Sequence, residues 1–528
     1  MYKYITKIPY KSFWLFLCII LFSCFSVSVM AEDDTNTIKS MSDYQYIVNE
    51  EDNTIEIVRY TGESQNISIP ETIENLEVTS IGTGAFTNLS KLSTVSIPDT
   101  VQFIGNSAFS ECSSLTQVSF PKNLKLIGDS AFSGCLALKS VNLPDTVTTI
   151  GNYAFANCKS IESITFSQNL VSVGDYAFLG CVLLNDIQLS NPNAELGAYA
   201  LEGTAWLSTQ NNDVWVTLND IILIKYNGTD TELVIPKNIQ TIAAAAFADN
   251  ESITSVDFSK SSVGFIGDRA FENCSNLKKV IFNEKVSVIK ERVFHNCSAL
   301  KDITLPSTLT ELGGEAFEGC SSLTHIEIPK GVQVLDTGLF KDCTALTSVK
   351  LNEGLKYIYS LAFENCTSLG IIEFPKTLQE IYSIAFSDCI SLTRIVFEES
   401  QSNIYPSAFS CENIQEIVFK GGTPQIDENA FSAKTAIVYC DTSNKNSTPM
   451  TFAKSAGFEV VSLGELPAYS NQGVFEEKET EEGFYSSYIW ITIIMIVVDI
   501  AIVLLFGIYI MFFSRKKSKK SANKMTKV

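Results

Sequence analysis

Residues 112–135 read CSSLTQVSFPKNLKLIGDSAFSGC. In LTQVSF the apolar residues Leu115, Val118 and Phe120 are spaced three and then two apart, as in a short strand with one buried face. Pro121 follows at once, removes a ladder donor and ends the strand. Leu126-Ile127 makes a second extended piece, and a turn then carries the Ala131-Phe132 pair. Cys135 closes the unit, and the same pattern begins again.

The pattern runs through most of the 528 residues. Phe recurs at 86, 109, 132, 155 and 178, always 23 apart, and at 247 after three further periods, with Leu201 and Ile224 at the skipped steps. After a one-residue insertion it continues at 271, 294, 317, 340, 363, 386 and 409, then at 431. Five residues before each Phe stands Ile, Val or Leu, and three after most of them stands Cys. One 23-residue unit cannot bury its own apolar side chains. Stacked units bury equivalent residues against each other and pair their strands in parallel. A unit this short has no room for a strand, two turns and a full helix. The expected fold is therefore a β-rich solenoid of about sixteen coils with a parallel sheet and short turns opposite it, spanning about 75 Å at roughly 4.8 Å per strand.

The unit L-x-x-[VI]-x-[IL]-P-x-x-[VL]-x-x-I-G-x-x-A-F-x-x-C resembles the BspA-like class of leucine-rich repeats of bacteria and protozoa. The opening YTGESQNISIPETIENLEVTSIGTGAF is similar to that family's first coil, and WLSTQNNDVWVTLNDIILIKYNG (206–228) is similar to an insertion seen in it. The resemblance implies a cell-surface protein, often an adhesin for host proteins or other cells.

Outward from the repeats, composition changes sharply. Residues 1–31 read as a signal peptide: Lys3, Lys7 and Lys11 precede an apolar run, and Val29-Met30-Ala31 suits cleavage before Glu32. Residues 489–513 are 25 nearly all apolar residues, long enough to span a membrane. The tail 514–528 carries seven Lys/Arg and no acid, which places it in the cytoplasm. The expected organisation is an N-terminal cap at 32–64, a solenoid at 65–435 interrupted at 206–228, a C-terminal cap at 436–464, an acidic linker at 465–488, one membrane helix and the tail. The expected localisation is the cell membrane, single-pass, with the N-terminal domain outside. Asp499 within the span reads either as a contact with a second copy or partner helix, or as a tolerated acid that snorkels.

Residues 32–488 hold 28 basic and 58 acidic residues, a net charge of −30 that repels nucleic acid. Enzyme activity is not expected. His295 and His325 are the only histidines, and there is no phosphate loop, catalytic triad, cofactor motif or metal-ligand spacing. The eleven repeat cysteines read as buried free thiols, since stacked equivalents all point the same way. A Cys411–Cys440 bond is the alternative for the one cysteine outside that row. The glycines after the Ile, such as Gly128, resemble turn glycines, although Tyr359, Tyr382 and Tyr405 occupy the same slot. The Asn-x-Ser/Thr sequons read as chance in a chain rich in these residues.

Two surfaces could bind a partner. Strand alternation turns His325/Glu327, Ser348/Lys350, Ile371/Glu373 and Arg394/Val396 outward, with Ile371 and Val396 as exposed apolar residues. Tyr359, Tyr382 and Tyr405 form an aromatic stripe that either contacts a ligand or stacks on itself. The expected role is adhesin-like recognition of an extracellular protein or glycan on host matrix, host cells or microbes. The alternative is a surface receptor or scaffold that recruits a membrane or cytoplasmic partner.

Overall fold

Each unit lays down one strand, one two-residue extended piece and one turn, and the next unit repeats all three one coil further on. The computed structural model describes residues 38–191, 193–433 and 435–467. The expected signal peptide, most of the linker, the membrane span and the tail lie outside these residues. Among the described residues no helix is long and apolar enough to cross a membrane.

All three sides of a coil bond to its neighbours. On the strand side Thr94–Ser96 pairs in parallel with Gln117–Ser119, placing Val95 beside Val118. On the second side Leu126–Ile127 pairs in parallel with Thr149–Ile150. On the third, the Phe109 N–H donates to the Ala131 carbonyl at 2.7 Å, and Phe132 repeats this with Ala154. Backbone groups that a 23-residue loop could not satisfy internally are thereby satisfied by the next coil. The Phe rings stack inside, 5.1 Å apart from Phe109 to Phe132 and 5.3 Å from Phe132 to Phe155.

The array has about 18 turns rather than sixteen. The extra two are caps that lack the repeated Phe. Tyr60 stacks on Phe86 at 5.5 Å, and Phe452 lies 5.7 Å from Phe431. Phe452 belongs to a helix, Thr448–Ala456, with Pro449 in its first turn and Gly457 left-handed at its end. Its buried Met450, Phe452 and Ala453 close the open end of the core.

The interruption at 206–228 starts the solenoid afresh. At the N-terminus the antiparallel strands Tyr44–Asn49 and Thr54–Tyr60 form the first cap, with a bulge between Gln45 and Tyr46. Trp215–Leu218 and Ile222–Tyr226 form a second antiparallel hairpin, bulged between Val216 and Thr217. Tyr226 donates its N–H to Ala246 as Tyr60 does to Ala85. The ring that continues the Phe row is therefore Tyr226, two residues after the expected Ile224, because a bulged hairpin carries extra residues.

Glycine and asparagine take roles different from those expected. The glycines after the Ile are not left-handed; they permit close approach. A Cβ on Gly151 would lie 2.6 Å from both Asp129 N and Gly128 C of the preceding coil. Gly151→Val is expected to lower stability by about 1–3 kcal/mol through overpacking, read as a fall in urea midpoint at unchanged slope. Gly134→Asn is the control and should cost far less, because Gly134 stands in a left-handed slot that Asn fills elsewhere and a Cβ there meets only the movable carboxyl end of Glu111, not backbone. That slot, two residues after the Phe, holds Asn88, Asn273, Asn296 and Asn365, all with positive φ. The sequons there reflect backbone geometry rather than chance. The amide nitrogen of Asn296 donates to Asn273 Oδ1 at 3.0 Å, and that of Asn273 to Asp249 at 2.8 Å, so these side chains tie coils together.

Candidate functional site

Alternation along the strands sends one set of side chains into the core and the other outward, and the outward set changes character at the second cap. Before it stand mostly hydroxyls and amides, Thr94, Ser96, Gln117, Ser119, Ser163, Thr165 and Gln188, with Asp186 as an exposed charge beside them. After it come charges and apolar groups. His325–Glu327 pairs in register with Ser348–Lys350. Lys350 Nζ lies 2.8 Å from Glu327 Oε1, and His325 Nδ1 lies 3.5 Å from Asp302 on the preceding strand. His325, Glu327, Lys350 and Glu373 are exposed, and Ser348 and Ile371 are half-buried.

Arg394 and Val396 are not exposed, contrary to expectation: 8% and 2% of their surface is accessible. From Ile371–Phe374 onward the strands lengthen to four residues and their outward positions become bulky. In register, Val396 stands between Glu373 and Val418, with Tyr439 beyond. Arg394 Nη1 lies 3.0 Å from Glu416 Oε2. The exposed apolar residues of this face are instead Val234 (51% accessible) and Ile281 (38%). The same alternation rule around Leu233 and Val280 would have found them.

The aromatic stripe packs on itself. Tyr359 meets Tyr382 edge-on at 4.9 Å, and Tyr382 stacks on Tyr405 at 5.1 Å. Burial pushes all three hydroxyls up. A second row, missed in the sequence although it shares the 23-residue period, stacks Tyr153, Tyr176 and Tyr199 at 4.9 and 5.2 Å. Rings stacked this closely present edges and hydroxyls rather than faces, which does not favour a platform for sugar rings.

Charged residues flanking the Phe turns form a further row that the sequence reading passed over. Arg292 bridges Glu272 at 2.6 Å and Glu315 at 2.5 Å, and Lys341 lies 3.2 Å from Glu364. Near the second cap, Arg269 reaches back 2.8 Å to Asp175, and Lys290 3.2 Å to Glu195. Asp175, Glu195 and Arg269 border a cavity of about 250 Å³, where burial and then Glu291 push the Asp268 carboxyl up to about 6. The repeat cysteines are free, as are Cys411 and Cys440.

The sequence profile described as BspA type leucine rich repeat region (6 copies) matches residues 79–208, 226–347 and 335–456. No curated protein matches. Among solved structures, a leucine-rich repeat protein of Bacteroides ovatus is 27% identical; the match covers 64% of this chain and 95% of that one, with a TM-score of 0.27. A leucine-rich cell surface protein of Faecalibacterium prausnitzii is 26% identical over 61% of this chain and 96% of its own, with a TM-score of 0.28. A leucine-rich repeat protein of Eubacterium ventriosum is 24% identical over 67% and 95%, with a TM-score of 0.33. With the repeat profile matched on both sides of the second cap and the same unit seen coil by coil, the chain belongs to the BspA-type leucine-rich repeat family.

Proposed function

We propose that this chain is an exported, membrane-anchored surface protein that binds an extracellular protein ligand, in the manner of an adhesin, through the strand face after its second cap. The observation that carries this reading is the contrast on that face. The core side repeats nearly unchanged from coil to coil, while the outward side varies and mixes Val234 and Ile281 with Lys279, Asp302, His325 and Glu327. Isolated apolar residues ringed by charge suit the partly apolar, polar-rimmed composition of protein interfaces. Anchoring rests on the apolar run at 489–513, and export on residues 1–31. The stacked tyrosines make a glycan the weaker choice of ligand.

The test is binding of residues 32–480, as a soluble protein, to a panel of matrix proteins, host cells, microbes and glycans. The same panel is run with Val234, Ile281 and Glu327 changed to Ser. Saturable binding to a protein ligand that weakens at least about tenfold in the variant, a loss of about 1.4 kcal/mol, supports the strand face. Binding unchanged in the variant moves the site elsewhere. No binding to any member of the panel favours the receptor or scaffold reading.

A further inference from the structure

We propose that His295, Glu315 and Glu318 form a binding site for a divalent transition-metal cation, with zinc the best-matched ion. The three residues come from two adjacent coils. His295 directly follows Phe294, and Glu318 follows Phe317 in the equivalent position one coil on. Glu315 stands three residues before Glu318, at the left-handed start of the same turn. One ligand atom from each lies within 4.8 Å of the others.

Two acids and a histidine on a surface turn are ordinary; the state of the imidazole is not. His295 is 9% exposed, and its Nδ1 is buried without a hydrogen-bond partner. That nitrogen points at Glu318, with Oε2 3.6 Å away, too long for a hydrogen bond. A buried polar nitrogen left unmatched is costly, and a cation between it and the carboxylates would match it. Burial and then Arg292 hold the imidazole below its ordinary pKa.

The surrounding charge leaves room for two positive charges. Glu272, Glu315, Glu318 and Glu364 face Arg292 and Lys341, and the further cation near Glu272, Arg269 at 4.0 Å, is itself matched by Asp175. A nitrogen ligand with two carboxylates selects transition metals over magnesium or calcium, and three protein ligands leave a fourth position for water. Ligands about 2.0–2.2 Å from one ion stand a little over 3 Å apart, so closing the site needs side-chain rotation rather than backbone movement.

Arg292 is the competitor. Its Nη2 lies 3.1 Å from His295 Nε2, and a guanidinium only donates, so without metal Nε2 accepts and Nδ1 carries the proton. Coordination through Nδ1 moves that proton to Nε2 and breaks this contact. Arg292 keeps its two bonds to Glu272. Arg292 therefore weakens the site, and its removal should strengthen it.

The experiment is calorimetric titration of zinc into residues 32–480 free of any affinity tag, with cobalt absorption as a second readout. The expected result is a single equivalent bound, a cobalt spectrum without thiolate charge transfer, affinity lowered at least about tenfold in His295→Gln and Glu318→Gln, and affinity raised in Arg292→Met. Unchanged metal-free melting in the two weakened variants separates lost coordination from lost folding. No zinc binding by the wild-type protein, binding indifferent to His295→Gln, or a thiolate–cobalt band would each overturn the site.

Discussion

Phe317→Ala is expected to lower stability by about 3–5 kcal/mol, the range for emptying a fully buried aromatic position. Phe317 is completely buried, between Phe294 at 5.5 Å and Phe340 at 5.6 Å, with planes inclined by 17° and 11°. The loss combines removed apolar area, two ring contacts and a cavity that the bonded coils on either side cannot close. In a linear array each coil contacts only its neighbours, so a lesion in the middle also weakens the coupling between the two sides. The urea transition followed by circular dichroism should shift down and broaden or split. Phe317→Leu should cost less than half as much, since it keeps most of the volume. A loss under about 1.5 kcal/mol in the alanine variant, with one sharp transition, would mean that the ring row does not couple the coils.

The second large effect concerns the thiols. Each repeat cysteine sits behind a Phe and points its Sγ at the carbonyl of the Phe one coil earlier: Cys135 at Phe109, 3.2 Å, and Cys158 at Phe132, 3.1 Å. The S–H is a donor there, so ionising it both breaks a bond and places a charge in the core. Burial pushes Cys112, Cys181 and Cys274 from about 9 up to about 12. Three pH units lower the thiolate fraction about a thousandfold at neutral pH. Labelling of folded residues 32–480 with a thiol-specific disulfide reagent should therefore run at least about 10³ times slower than in denaturant. Cys440, in the C-terminal cap and less shifted than these three, should react before them. Oxidation in air should leave the mass unchanged. A mass deficit from a disulfide, or repeat thiols that label at the unfolded rate, would refute this account.

The repeat, its register and its buried side were legible because each is a local rule applied many times. A 23-residue period fixes which residues stack, and a period of two fixes which strand residues face inward. The coil count fell short by two because Tyr60 and Phe452 reach the same interior row from a hairpin and a helix, neither of which carries the repeat's spelling. Gly128 and Gly151 read as turn glycines in the sequence because their actual need is space beside a neighbouring coil, and a neighbour's distance is not written in the unit itself. Exposure of Val396 failed for a similar reason: alternation gives direction, while burial depends on what stands alongside at Val418 and Tyr439.

By itself, then, the sequence determined the solenoid, the parallel register and the thiol row, because stacking identical units leaves one way to bury identical side chains. Only the tertiary structure decided that the interruption is a second cap, that the tyrosines stack on one another, and that His295, Glu315 and Glu318 converge. Each of these depends on distances between coils, and such distances follow from how side chains fill the shared space rather than from their spacing along the chain.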